Sequence, residues 1–381
     1  MKNLKKSTLI ITILSFLALF TSAKAEIKVV ASIKPIHSLA SYLMDGVAKP
    51  DLIVDGYSSP HGFPLKPSHA KMLQEADLIF WVGEDLENFM EKPLDSIAKK
   101  AEKIELMEIK GLNKLKFRER NIFGDHDDHD DHGHKEDGHK EDDHDDHDHK
   151  KKDGHDDHDD HDHKKKDGHK EDDHDDHDHK KKDGHDDHDD HGHKKKDDHD
   201  DHDDHAGHEG HHHGEHDPHI WLDPMNAKVI LNEMAEHLIE NDAKNASKYK
   251  SNLKKALKDI DKLVSDVSSE LNQSVASIVF HDAYQYFEKR FGVIPAGALT
   301  LNPDVLPGAK QIADIQDVIN DKGIKCIFSE PQYNPKIIET LGNDMNISTG
   351  VMDPLGAYID AGPSMYSDLI NQIANSIKDC H

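Results

Sequence analysis

The chain has 381 residues, a formal net charge of −29, 35 histidines and only two cysteines. With no basic stripe anywhere, nucleic-acid binding is excluded, and two cysteines are too few for a thiolate metal cluster or a dense disulfide scaffold. The acidity is concentrated: residues 125–217 hold 35 Asp and 5 Glu against 15 Lys, a balance of −25 that leaves −4 for all the rest.

The N-terminus, MKNLKKSTLIITILSFLALFTSAKA, places Lys2, Lys5 and Lys6 before an apolar stretch from Leu9 to Phe20, then ends small-x-small at Ala23 and Ala25. That pattern is a secretory signal peptide over 1–25, with cleavage expected before Glu26. The apolar stretch is short for a membrane span, and no cysteine follows it to carry a bacterial lipid anchor. A soluble, exported protein is expected.

Beyond it, apolar runs alternate with amphipathic stretches: IKVVASI (27–33), KPIHSLASYLMDG, DLIV, a helical KPSHAKMLQEA, DLIFWVG (77–83), a helix over about 86–100, and KIELMEI (103–109). Such alternation marks βα units and a mostly parallel sheet. The same style returns with SIVF (277–280), YQYFEKRF, VIPAGAL, a helix over about 309–321, IKCIFSE (324–330), PKIIETLG, ISTGVM and a last helix over about 364–378. The fold class is therefore α/β, two lobes each built on a mostly parallel sheet flanked by helices.

Between the lobes come two unlike segments. Residues 137–166 recur at 167–196 with one change, Asp162 in the first copy standing as Gly192 in the second. A tandem repeat without Val, Ile, Leu or aromatic residues has no apolar face to offset its chain entropy, so 125–217 reads as a disordered insert; it carries 28 of the 35 histidines. After it, Tyr249, Leu253, Leu257, Ile260, Val264, Val267 and Leu271 form one stripe at helical spacing. A helix of about 25 residues spans close to 40 Å, enough to join both lobes rigidly. The expected division is an N-terminal lobe at 26–245 containing the insert, a connecting helix at 246–273 and a C-terminal lobe at 274–381.

Seven histidines lie outside the insert. His37 and His69 sit at helix starts, His237 on an amphipathic helix and His381 at the terminus. His61, in the proline-rich loop SSPHGFPLKPS after DLIV, and His281, directly after SIVF, are placed at the carboxyl ends of strands, where α/β folds put ligands. His219 stands just ahead of a helix start, where the insert re-enters the fold. Cys326 and Cys380, 54 residues apart, read as a disulfide in an exported chain, with two buried thiols as the alternative.

The stretches HGFPLKPSHAKMLQEADLIFWVGEDLE, HIWLDP, FHDAYQYFEKRFG, NPDVLPGAKQI, CIFSEPQY and MDPLGAYI, in that order, resemble the periplasmic zinc-binding proteins of bacterial ABC transporters. The resemblance runs from Ile27 to His381 and skips only the insert. It implies that His61, His219 and His281 are metal ligands, His61 and His219 from the first lobe and His281 from the second. It also implies a disulfide between Cys326 and Cys380. Some members have Glu before the first ligand histidine; this chain has Pro60, so the fourth position falls to water or to Asp353 of the M-D-P-L-G motif.

Three imidazoles and one oxygen suit tetrahedral Zn²⁺, although the affinity order does not favour zinc over copper. The leading function is periplasmic capture of Zn²⁺ and its delivery, by a monomer, to an inner-membrane ABC permease with a cytoplasmic ATPase. A periplasmic zinc store centred on the insert is the alternative. A zinc hydrolase comes third, because no glutamate base is paired with a ligand as in H-E-x-x-H.

Overall fold

The computed structural model describes residues 26–122, 214–271 and 276–380. The expected signal peptide, residues 125–213 of the insert and His381 lie outside the described residues.

In the first half, β1 (Val29–Ile33), α1 (Lys34–Met44), β2 (Asp51–Val54), α2 (Pro67–Glu75), β3 (Leu78–Trp81), α3 (Glu84–Ser96) and β4 (Glu102–Glu105) follow in chain order. They form a parallel sheet of order β2-β1-β3-β4. Two helices come next, α4 (Pro224–Asn241) and α5 (Ala246–Glu270). The second half runs β5 (Ser277–His281), α6 (Gln285–Phe291), β6 (Gly297–Thr300), α7 (Ala309–Lys322), β7 (Cys326–Ser329), α8 (Lys336–Met345), β8 (Ser348–Val351) and α9 (Met365–Lys378). Its sheet is again parallel, of order β6-β5-β7-β8.

Every residue of β1, β3 and β5 is buried, which is why these strands read as unbroken apolar runs rather than alternating ones. Because each sheet reverses its strand order at its centre, the helices on either side diverge there and leave a crevice at the carboxyl ends. In the second sheet that crevice lies between β5 and β7.

Helix α4 starts where the sequence dictates. Asp223 accepts a hydrogen bond from Met225 N at 2.8 Å as the N-cap, and Pro224 takes the first helical position. Helix α5 is 25 residues long and packs on α1, α4 and α9, elements of both halves. Its innermost face is not the aliphatic stripe read from sequence. Asn252 and Ala256 are buried with Tyr249, Ile260, Leu263 and Val267, while Leu253, Leu257 and Val264 lie on the flank. Asn252 can be interior because its amide donates to Leu43 O at 2.7 Å and to Asp45 O at 3.0 Å, so both of its N–H donors are paired.

Cys326 and Cys380 are joined, their Cα atoms 5.7 Å apart. The bond ties the start of β7 to the residue beyond α9, and closing a 54-residue loop restricts the unfolded chain by about 4 kcal/mol. No helix among the described residues is long and apolar enough to cross a membrane.

The insert boundary needs correction. Gly214–Asp217, assigned to the insert by composition, belong to the fold. Asp217 N donates to Leu115 O at 2.8 Å, His216 pairs with Lys116 in an antiparallel bridge, and Asp217 is 0% exposed. One Asp in a run of Asp residues carries no compositional mark; its difference lies in what it touches.

Candidate metal centre

Three loops converge at the carboxyl edges of the two sheets. His61 comes from the loop after β2, His219 from the turn ahead of α4, and His281 is the last residue of β5. One nitrogen from each of His61, His219 and His281 lies within 4.8 Å of the others, and among the described residues this is the group of three or more metal-ligating side chains that forms. His219 and His281 are buried and His61 is half-buried.

The two buried rings are oriented from behind. Asp217 Oδ1 stands 2.7 Å from His219 Nδ1 and also accepts the His219 backbone N–H at 2.9 Å. Glu330, one residue beyond β7, stands 2.7 Å from His281 Nδ1. A carboxylate on Nδ1 holds the hydrogen there and leaves Nε2 with its lone pair. The two Nε2 atoms then face each other at 3.4 Å. Two lone pairs so placed repel unless a proton or a metal cation sits between them. Tetrahedral zinc with Zn–N bonds of about 2.05 Å sets its ligand nitrogens about 3.3 Å apart, so the spacing of the His219 and His281 nitrogens fits that ion.

The environment favours the ligating form at His219. Burial, then the charge on His281, holds His219 well below the ordinary histidine range, so it is neutral. Burial works in the same direction on His281, but the carboxylates of Glu330, Asp282 and Asp217 outweigh it and leave His281 raised. Burial pushes Asp217 up to about 7; a divalent cation on the far side of the imidazole draws it back down.

The cavity at this point is small, about 10 Å³ and bounded by Pro60, Trp221, Tyr333 and Leu355 as well as the three histidines. That is room for one water-sized centre. Trp221 Nε1 donates to Pro354 O at 2.8 Å and Tyr333 Oη pairs with Ser59 Oγ at 2.9 Å, so both halves contribute to the wall.

Asp353, a candidate for the fourth donor, is not brought into this group. Its Oδ1 accepts from Leu355 N and Gln332 Nε2, both at 2.9 Å, and its Oδ2 accepts from Ala357 N. The carboxylate caps the loop that carries Pro354 and Leu355 into the wall. From the far side Lys34 Nζ secures the same loop, donating to Gly356 O at 3.1 Å and Ile359 O at 3.2 Å.

The remaining histidines have local duties. His37 Nε2 bonds Pro50 O at 3.0 Å, His69 Nδ1 accepts from Lys66 N at 3.2 Å in a capping box, and His237 meets Glu102 at 2.8 Å. Reading from sequence missed Asp217 and Glu330. The spacing Asp-x-His in HDPH (216–219) and the Glu one residue beyond β7 were the signals available for them.

Two parallel sheets joined by one long helix, with imidazoles from both halves meeting at a crevice, define a metal-binding solute receptor of a transporter rather than an enzyme. The chain belongs to the family described as zinc-uptake complex component A, periplasmic, which matches residues 29–380. It is 41% identical over 354 residues to the high-affinity zinc uptake system protein ZnuA of Brucella abortus (strain 2308), covering 92% of this chain and 91% of that protein. Against the ZnuA of Haemophilus influenzae it is 33% identical over 381 residues, covering 98% and 99%. Among solved structures it resembles the periplasmic zinc-binding protein TroA from Treponema pallidum, with a TM-score of 0.62 at 14% identity over 93% of this chain and 99% of that one. That likeness concerns the fold.

Proposed function

We propose that the protein, once its signal peptide is removed before Glu26, captures Zn²⁺ from the periplasm through His61, His219 and His281. A solvent oxygen completes the tetrahedron. The ion is then handed to an inner-membrane permease driven by a cytoplasmic ATPase. The observation that carries this reading is the facing pair of Nε2 atoms, 3.4 Å apart, each on a ring oriented by its own carboxylate. Because the donors come from both halves, a small change in the angle between the halves opens the coordination sphere, which is how a tight site can release its cargo. Asp353 supports the centre by shaping its wall.

Anomalous scattering from crystals of the zinc-loaded protein, measured above and below the zinc edge, tests the assignment. One strong peak equidistant from the three imidazoles is expected. A peak elsewhere, or a sphere that includes an Asp353 oxygen, overturns it. Zinc uptake into vesicles holding the permease and ATPase, with and without the purified receptor, tests delivery.

A further inference from the structure

The residues on either side of the insert form a short ribbon that the zinc reading does not use. Leu115–Arg118 and Gly214–Asp217 run antiparallel, with Asp217 N donating to Leu115 O at 2.8 Å and Phe117 N to Glu215 O at 3.4 Å. The ribbon is fastened to the second half at Tyr286, at Arg118 and through Gln285 Nε2, which donates to Lys116 O at 3.3 Å. Tyr286 Oη on α6 donates to Asp217 O at 2.7 Å and accepts from Leu115 N at 3.0 Å. Arg118 spreads its guanidinium over two carboxylates, Nη1 donating to Asp282 at 2.6 Å and Nη2 to Glu288. Both carboxylates are about 95% buried, with side-chain exposures of 4% and 5%.

Beyond Arg118 the chain continues along β6. Ala298 N donates to Asn121 O at 2.8 Å, and a Cβ at Gly297 would stand 2.6 Å from that same oxygen. Only glycine admits so close an approach.

This ribbon carries Asp217. The carboxylate's one bonded oxygen, Oδ1, serves His219 alone, and Oδ2 makes no hydrogen bond among the described residues. Among the described residues no other hydrogen bond holds the carboxylate, so its position against the ring follows the backbone of the ribbon. Tyr286 and Arg118 hold that backbone together with Gln285 and with Asp85, whose Oδ1 accepts from Gly214 N at 2.6 Å. Asp282, the other end of the Arg118 fork, is the residue next to His281.

We propose that Arg118 is a positioning residue of the metal centre: by clamping the ribbon to Asp282 and Glu288 it holds Asp217 against His219 and fixes the segment that carries His281. The assignment rests on the reading of His219 and His281 as zinc ligands. Arginine is required because its planar fork reaches two carboxylates at once, which a lysine ammonium does not reproduce.

Zn²⁺ titration of the full-length chain in competition with a chelator tests this, read by tryptophan emission. Trp221 lies 5.3 Å from His219, ring centre to ring centre, and the insert contains no tryptophan, so the signal comes from Trp221 beside the cleft and from Trp81 in β3 and not from the insert. Arg118→Gln is expected to weaken zinc binding roughly tenfold or more, the range found when an outer partner of a metal ligand is lost. The emission of its zinc-saturated form should also differ from that of the unmodified protein, which a loss of fold stability alone does not cause. Arg118→Lys should fall between the two, and Tyr286→Phe should move in the same direction as Arg118→Gln. Unchanged affinity and saturated emission in both Arg118→Gln and Tyr286→Phe overturn the proposal, whatever happens to the melting temperature. If Arg118→Gln does not fold, Tyr286→Phe decides. His281→Ala is titrated alongside: if it too keeps full affinity, the zinc reading fails together with the proposal, whereas a loss there with none in the ribbon variants defeats the proposal alone.

Discussion

His219 and His281 present their Nε2 atoms to each other at 3.4 Å while a buried carboxylate holds each Nδ1 from behind at 2.7 Å. Neutral imidazoles gain nothing from this arrangement in the absence of a cation. The protein holds it because the rings cannot turn away: Asp217 and Glu330 fix their tautomers, and both rings are enclosed. A cation between the two nitrogens would relieve the repulsion of their lone pairs.

Replacing either backing carboxylate should therefore weaken zinc without removing a ligand. Asp217→Asn and Glu330→Gln are each expected to lower affinity by about 10–100-fold, measured by competition with a chelator. An effect below threefold in both variants would mean that burial alone orients the rings.

Loss of a donor should cost more than loss of its support. His61→Ala, His219→Ala and His281→Ala are each expected to exceed roughly a hundredfold in lost affinity, above the range of the supporting residues. His37→Ala should leave affinity unchanged and lower the melting temperature, because its ring is buried and bonded to Pro50 O at 3.0 Å. A fall in zinc affinity with His37→Ala equal to that with His281→Ala would overturn the division of the histidines into ligands and structural residues.

These roles were unequally legible in the sequence. The buried parallel strands announce themselves as apolar runs because neither face meets water, and α5 announces itself by length and spacing. His61 and His281 were singled out because strand ends are where crevices form, and they cluster with His219. Asp217 was hidden by its neighbours, since one Asp beside 34 others within 125–217 differs from them chiefly in its contacts. Arg118 was invisible for a different reason: its partners Asp282 and Glu288 lie more than 160 residues away in sequence. The inner face of α5 was misread because Asn252 is polar, and only the carbonyls of Leu43 and Asp45 explain its burial. Asp353 was hard to place because a carboxylate in a conspicuous motif serves equally well as a metal donor and as a loop cap, and here it bonds Leu355 N, Ala357 N and Gln332.

Glu87 supplies a prediction about stability. It is 0% exposed, its Oε2 accepts from Val82 N at 2.7 Å and Gly83 N at 3.1 Å, and burial, against these hydrogen bonds, pushes its carboxyl up to about 7. The folded protein keeps the proton where the unfolded chain, with its ordinary value of 4.5, has lost it. Folding thus takes up a proton between those values, and stability falls as pH rises from about 4.5 to about 7. At about 1.4 kcal/mol per unit the loss is on the order of 3 kcal/mol above pH 7. Glu87→Gln removes the titration and keeps the acceptor. Its melting temperature, measured with metal removed, should exceed that of the unmodified protein at pH 8 and match it near pH 4.5. Parallel curves across that range would show that Glu87 does not hold a proton in the fold.

The corrected edge of the insert gives the last prediction. Deleting 125–213 leaves the ribbon intact, because Leu115–Arg118 and Gly214–Asp217 both remain with Tyr286 and Arg118 to hold them. Deleting 125–217 removes only four more residues, yet it takes away the carboxylate on His219 and the strand that pairs with Leu115 and Phe117. The first variant is expected to keep one tight zinc equivalent at unchanged affinity, and to lose the weaker equivalents that the 27 histidines of 125–213 supply to the full chain. The second should bind that equivalent about 10–100-fold more weakly, as expected for a ligand stripped of its outer partner. Calorimetric titration of the three proteins, with a chelator present to separate tight from weak sites, distinguishes the outcomes. Equal affinity in both deletions would remove Asp217 from the metal centre. Loss of the tight equivalent in the shorter deletion would move zinc capture from the three histidines into the insert itself.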